Sequence, residues 1–193
     1  MNAVADALLN ADAVTADAVL PIRDTPLHDA LGTVASFADQ PQLRALCLGT
    51  VALGLLSDDT RLARTGMKML VAHELATLAK TLVKAAVVRR RPRSTDDTAE
   101  DAAPELGHDT SKEQSSFPSG HAGGATAVAR AFARAYPDQR AIAYAAAGVG
   151  ALVQVPRCAH YPTDIGAGVL IGLAAEAAGD ALLSRLPRNE REG

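Results

Sequence analysis

Alanine fills 41 of the 193 positions, and no other feature limits the fold so strongly. Alanine is the best helix former, a poor strand former, and too small to hold packed surfaces apart. A chain this rich in it is expected to be all-α, with helices packed closely through small side chains. Aromatic residues make up 3% and tryptophan is absent, so the core must come from Ala, Val and Leu. Hydrophobic residues at 48% against 21% charged are enough for a real core and argue against global disorder. The length allows one compact domain and little more. A net charge of -3 and a pI near 5.9 offer no overall basic field for nucleic-acid phosphates, so no nucleic-acid partner is expected. Cys47 and Cys158 form no CxxC pair and no disulfide framework; they are expected as reduced core residues.

Local signals divide the chain into about six helices. A mixed N-terminal segment, 1–25, has no positive n-region, and Asp6, Asp12 and Asp17 break its apolar run, so no secretory signal is expected. Helices are expected from about Pro26 or Asp29 to Ala38 and from Pro41 to Leu56, followed by a capping turn at Asp58, Asp59 and Thr60. A long helix is expected from Arg61 to Arg90, ended by Pro92. Residues 93–117 hold seven acids against Arg93 and Lys112 and read as a solvated loop between the third and fourth main helices, either a mobile insertion or a lid over a site. Helices resume over 119–135, 138–155 and 162–185, and 187–193 reads as a tail. Thirteen uncharged residues lie between Arg44 and Asp58, and 16 between Arg140 and Arg157. Both stretches fall short of the ~18 to 20 that a membrane span requires.

Three clusters place ionisable groups amid this apolar background. In the first, Lys84 and Arg91 stand seven residues apart, about 10 Å along one side of the expected helix, and His73 and Lys80 extend the same face. Two cations aimed at one place suit an anion, although a helix C-terminus also attracts basic residues for its dipole. In the second, Pro118-Ser119-Gly120-His121, Ser119 is a good N-cap and the first amides of the following helix make an anion site; the same four residues also read as an ordinary capped helix start. In the third, His160-Tyr161-Pro162-Thr163-Asp164, the spacing of four lets the Asp164 carboxylate reach back to the His160 imidazole and fix its tautomer; a satisfied structural histidine has the same pattern. Together the clusters provide charge neutralisation, amide donors, a general acid and a nucleophile. That is equipment for phosphoryl transfer without a metal.

The order K-x6-RP, PSGH, H-x3-D, carried by Lys84 to Pro92, Pro118 to His121 and His160 to Asp164, resembles the phosphatidic acid phosphatase type 2 superfamily. That superfamily includes lipid phosphate phosphatases, bacterial acid phosphatases, undecaprenyl-diphosphate phosphatases and vanadium haloperoxidases. The resemblance covers about residues 25–185 and implies a helical bundle with the site at one end. It also implies that His160 attacks phosphorus to form a phosphohistidine, that Asp164 orients it, and that His121 protonates the leaving oxygen. Lys84, Arg91, Ser119 and the Gly120 amide would hold the phosphoryl oxygens, with no metal or other cofactor.

One departure matters. Where the family's third motif usually begins with Ser-Arg, this chain has Val153 and Gln154. A charge-assisted hydrogen bond is worth ~1.5 to 3 kcal/mol, so losing one that acts in the transition state lowers the rate about 10- to 150-fold. Arg157 is the expected substitute, with Arg89 and Arg90 as alternatives. The resemblance implies a lipid phosphate or diphosphate substrate and a multi-pass protein of the inner (cell) membrane. Ala-rich helices with Gly pairs suit that setting, whereas Glu74, Glu176 and Asp180 within helices would be expensive facing lipid. The alternatives are a soluble cytoplasmic phosphatase of small esters and an impaired homologue that only binds phosphate-bearing partners. Small-residue packing is compatible with several oligomeric states.

Overall fold

The computed structural model describes residues 3–23, 25–94, 103–109 and 111–185. These fold into seven α-helices: α1 (Ala3–Val19), α2 (Pro26–Ser36), α3 (Gln40–Leu56), α4 (Thr60–Lys84), α5 (Gly120–Ala135), α6 (Arg140–Leu152) and α7 (Pro162–Ser184). Helices α2 to α7 are the six expected from the sequence; α1 lies in what reads as a mixed N-terminal segment. The tail 187–193 and four acids of the 93–117 segment, Asp96, Asp97, Glu100 and Asp101, lie outside the described residues.

Caps and prolines set the helix starts. Thr25 Oγ1 accepts from the His28 amide at 3.4 Å, and Asp59 Oδ1 accepts from the Leu62 amide at 2.9 Å, each satisfying a first-turn donor. Helices α2, α3 and α7 carry proline in the first turn, where the missing N–H is not needed.

Helix α5 is the centre of the bundle. Ten of its 16 residues are buried, and it packs on α4, α6 and α7. Its small side chains make this possible. A Cβ on Gly172 of α7 would stand 2.5 Å from the Gly123 carbonyl oxygen and 2.8 Å from Thr126 Cβ, and one on Gly168 would stand 2.4 Å from the Ser119 carbonyl oxygen. Only glycine permits backbones to approach so closely. Leu43, Cys47, Met69, Ala72, Ala76, Val128 and Ala175 fill the main core around this contact. Cys47 and Cys158 are both fully buried, and neither forms a disulfide, as expected.

Two expectations fail between α4 and α5. The long helix stops at Lys84, six residues early, and the chain becomes extended: β1 (Val87–Val88) pairs antiparallel with β2 (Glu105–Leu106). Val87 and Val88 are β-branched and favour extended backbone. The turn also frees the Arg89 and Arg91 amides, which donate to the Gln114 and Glu113 carbonyls at 2.8 and 2.9 Å. For the same reason the acidic segment is not solvated throughout. Its last part docks against 89–91, burying Ser115 and Ser116.

Three acids inside the helices, Glu74, Glu176 and Asp180, are paired with cations of neighbouring helices. Glu74 accepts a bidentate pair from Arg44, both bonds 2.7 Å. Glu176 takes Arg130 at 2.6 Å, and Asp180 takes Lys68 at 2.7 Å and Arg134 at 3.0 Å. Among the described helices, α7 is the one long and apolar enough to cross a membrane by length and composition.

Candidate active site

The N-termini of α3, α5 and α7 and the C-terminus of α4 meet at one end of the bundle, and the residues of all three sequence clusters converge there. The loop after α6 reverses through Cys158, whose φ of 51° is left-handed, and delivers His160 to the start of α7. His160 is almost fully buried, with Nδ1 3.6 Å from Asp164 Oδ2. The Tyr161 amide donates to the same Oδ2 at 2.9 Å. Asp164 therefore caps its own helix while facing the imidazole, as the spacing of four requires.

What holds Asp164 was not legible in the motif. Arg89 Nη1 donates to Asp164 Oδ1 at 2.5 Å, and Arg89 Nη2 donates to Asp12 Oδ2 at 2.7 Å. Asp12 also accepts from the Thr163 amide at 3.1 Å and from the Thr163 hydroxyl. Asp12, Arg89 and Asp164 are each no more than 1% exposed. Helix α1, the extended segment after α4 and the start of α7 are thus joined by one buried ionic chain. The guanidinium of Arg89 also lies 4.1 Å over the Tyr161 ring, a cation–π contact. Arg89 is committed to these partners, which corrects its candidacy as a phosphate ligand.

Lys84 and Arg91 are brought together by a different route from the one expected. They do not share a helix face, since Arg91 lies beyond the end of α4. They meet instead around the Ser115 carbonyl, which accepts from Lys84 Nζ and from Arg91 Nη2. Arg91 Nη1 also donates to the Ala159 carbonyl at 3.1 Å, placing its charge beside His160. Burial in company with other cations lowers the Arg91 pKa to about 10. Burial above all, with Arg91 and Lys84 adding to it against the pull of Asp164, lowers that of His160 to about 4.

Ser119 caps α5, its Oγ accepting from the Ala122 amide at 3.3 Å, and its own amide donates to the Asp164 carbonyl at 3.0 Å. The amides of Gly120 and His121 open the helix, where no intrahelical carbonyl is available to them. The His121 ring lies 6.2 Å from that of His160, inclined by 65°. Its Nε2 contacts Asp39 Oδ1 at 2.5 Å. Asp39 occupies the N-cap position of α3 yet makes no side-chain cap; its carboxylate is turned to His121 instead. Sequence reasoning missed Asp39, because nothing local distinguishes it from an ordinary cap. Beside His121 opens a pocket of about 320 Å³, walled by Asp39, Gln40, His73, Thr77 and Lys80.

Gln154, in the position of the family arginine, is fully buried. Its Oε1 accepts from Arg157 Nη1 at 3.1 Å. Arg157 lies within electrostatic range of Arg91, His121 and Asp39, and its Nε has no hydrogen-bond partner among the described residues. No group of three or more metal-ligating side chains occurs among them.

Comparison with known proteins bears on the family and the fold. The sequence model of the PAP2 superfamily matches residues 65–182. No curated protein matches the sequence. Among solved structures, the fold is similar to the crystal structure of the first transmembrane PAP2 type phosphatidylglycerolphosphate phosphatase from Bacillus subtilis. The TM-score is 0.67 at 22% identity, over 98% of this chain and 90% of that one.

Removing the arginine that separates two buried carboxylates leaves both charges uncompensated, which costs about 3 to 5 kcal/mol. Arg89→Met is therefore expected to lower stability by that amount in chemical unfolding of the purified protein, and Asp12→Asn added to it should restore part of the loss. A destabilisation under about 1 kcal/mol would show that the chain of charges does not hold this end of the bundle together.

Proposed function

Because the chain belongs to the PAP2 superfamily and sets His160 against His121 beside a cluster of cations, we propose that it is a metal-independent phosphatase acting on a lipid phosphate. The observation that carries this reading is the facing histidine pair, each ring beside its own carboxylate, at 3.6 Å for His160 and Asp164 and at 2.5 Å for His121 and Asp39. Their separation accommodates a tetrahedral phosphoryl group between an attacking nitrogen and an acid.

With Nδ1 turned to Asp164, His160 Nε2 is the nucleophile. It attacks phosphorus, the bond to the leaving oxygen breaks, and that oxygen takes a proton from His121. Asp164 stabilises the imidazolium that results, and its 3.6 Å approach tightens as charge develops. Asp39, 2.5 Å from His121 Nε2, fixes the orientation of that imidazole and so acts as a positioning residue for the acid. Water then attacks the phosphohistidine, with His121 as base, releasing inorganic phosphate and restoring His160. Lys84, Arg91, the Ser119 hydroxyl and the Gly120 amide neutralise and orient the phosphoryl oxygens. Arg157, held by Gln154, supplies the charge that the family arginine would otherwise bring.

The lipid assignment rests on the outside of the bundle. Leu46, Leu53, Leu56, Leu78, Ile142 and Leu170 are exposed, while Glu74, Glu176 and Asp180 find partners on neighbouring helices, as acids in a membrane-embedded bundle must. An apolar groove of about 830 Å³ runs past Phe37, Leu46, Val128, Ile142 and Val149, and shares Ala38, Gln42 and Leu43 with the polar pocket at His121. A headgroup in the pocket and an acyl or prenyl chain in the groove would therefore lie end to end. We read helices α3 to α7 as embedded in the cell membrane, with the site at the headgroup plane.

Phosphate release from phosphatidic acid, an undecaprenyl diphosphate and p-nitrophenyl phosphate, in detergent with EDTA, tests the assignment. Wild type is expected to hydrolyse a lipid and His160→Ala to hydrolyse nothing. Activity surviving in His160→Ala, or lost to EDTA in the wild type, would contradict it. Since the neutral imidazole attacks and protonation sets in only near pH 4, kcat/KM should persist well below pH 6, after allowance for the substrate's own ionisation near pH 6. An acid limb at 6.5 assigned to the enzyme would contradict the buried nucleophile. Arg157→Ala should lower kcat/KM about 10- to 150-fold, and full activity in that variant would remove Arg157 from the site.

A further inference from the structure

The pocket beside His121 contains a cation that the reaction above does not use. Lys80 comes off the face of α4 one turn before Lys84 and crosses to the start of α5. There a Cβ on Gly120 would stand 2.8 Å from Lys80 Cδ and 3.5 Å from Nζ, so glycine at 120 is what lets the ammonium reach the helix end. Its hydrogen bond is to Gln40 Oε1, at 3.4 Å. No carboxylate among the described residues lies within ion-pair distance of it. The two acids nearest the pocket are taken: Asp39 by His121, and Glu74 by Arg44 and by His73 Nδ1 at 3.1 Å. A half-buried ammonium at a helix N-terminus, in a pocket whose acids are already paired, is a site for an anion that is not part of the protein.

Position identifies which anion. His121 lines this pocket and His160 does not. The pocket thus lies on the side of the acid, where the leaving portion of the substrate sits, and away from the nucleophile that receives the phosphoryl group. We propose that Lys80, with Gln40 beside it, binds a second anionic group carried by the leaving portion of the substrate. The substrate class is then a lipid whose scissile phosphate is followed within a few atoms by a second phosphate or a phosphodiester, in preference to a simple monophosphate ester. This rests on the phosphatase reading for the direction of the reaction, but not for the existence of the anion site.

Two measurements on the full-length protein in detergent separate the claims. The first compares Lys80→Met and Lys80→Arg with wild type on p-nitrophenyl phosphate, phosphatidic acid, a prenyl diphosphate and phosphatidylglycerol phosphate. Lys80→Met is expected to lose about 10- to 100-fold more kcat/KM on the last two than on the first two, and Lys80→Arg to recover most of it. Equal losses on all four would assign Lys80 to the transferred phosphoryl group and overturn the proposal, as would no loss on any.

The second measures binding of inorganic pyrophosphate and inorganic phosphate by calorimetry. Pyrophosphate spans both positions and should bind wild type at least 10-fold more tightly than phosphate, a preference that Lys80→Met abolishes. Equal binding of the two ions to wild type overturns the subsite whatever the enzyme hydrolyses. A Lys80-dependent preference in a protein that releases phosphate from no lipid would uphold the subsite and refute the lipid phosphatase reading.

Discussion

The buried chain Asp12–Arg89–Asp164 is the interaction on which the rest of the site depends. Taking three charges out of water is expensive, and such an arrangement survives only when every lone pair and proton finds a partner. Here they do: Thr163 and the Tyr161 amide complete the two carboxylates, and the Tyr161 ring covers the guanidinium. The consequence reaches beyond local stability. Asp164 is fixed by Arg89 on one oxygen and by its own helix on the other, so the imidazole of His160 meets a carboxylate that cannot turn away. An apolar replacement of similar volume could pack as well, but it would not orient the nucleophile.

The same chain of charges explains which parts of the molecule were legible in the sequence. Helices α2 to α7 follow from caps, prolines and alanine content, all local signals, and the PSGH and H-x3-D segments lie at helix starts as their composition implies. The end of α4 is hard to read locally, because two β-branched residues, Val87 and Val88, weaken a helix without ending it. What stops it is tertiary: Arg89 has to reach Asp12 and Asp164, and its amide has a carbonyl waiting in a segment 25 residues later. Helix α1 was obscured for a related reason. Asp12 looked like an interruption of an apolar run, whereas it is the residue that brings α1 to the site. Asp39 shows the limit most clearly, since an Asp at a helix start is common and only the fold reveals that it faces His121.

The charges inside the helices and the leucines outside them answer to one constraint. In a bilayer a lone carboxylate on a helix is costly, yet Glu74, Glu176 and Asp180 lie where Arg44, Arg130, Arg134 and Lys68 can meet them. Each ion pair bridges two helices, so on the proposed membrane-embedded reading these charges serve as interhelical ties. Meanwhile the glycines of α5 and α7 bring backbones together where large side chains would hold them apart. The polar pocket and the apolar groove then meet at Ala38, Gln42 and Leu43, where the chain passes from α2 into α3.

The central claim is that the phosphoryl group passes through a covalent bond to His160. Brief mixing of the enzyme with ³²P-labelled lipid phosphate, an alkaline quench that preserves phosphohistidine, and mapping of the labelled peptide test this directly. The account predicts label on the peptide containing His160, formed and lost at rates compatible with turnover and absent in His160→Ala. Label on another residue, or steady phosphate release with no trapped label at any time, would contradict it.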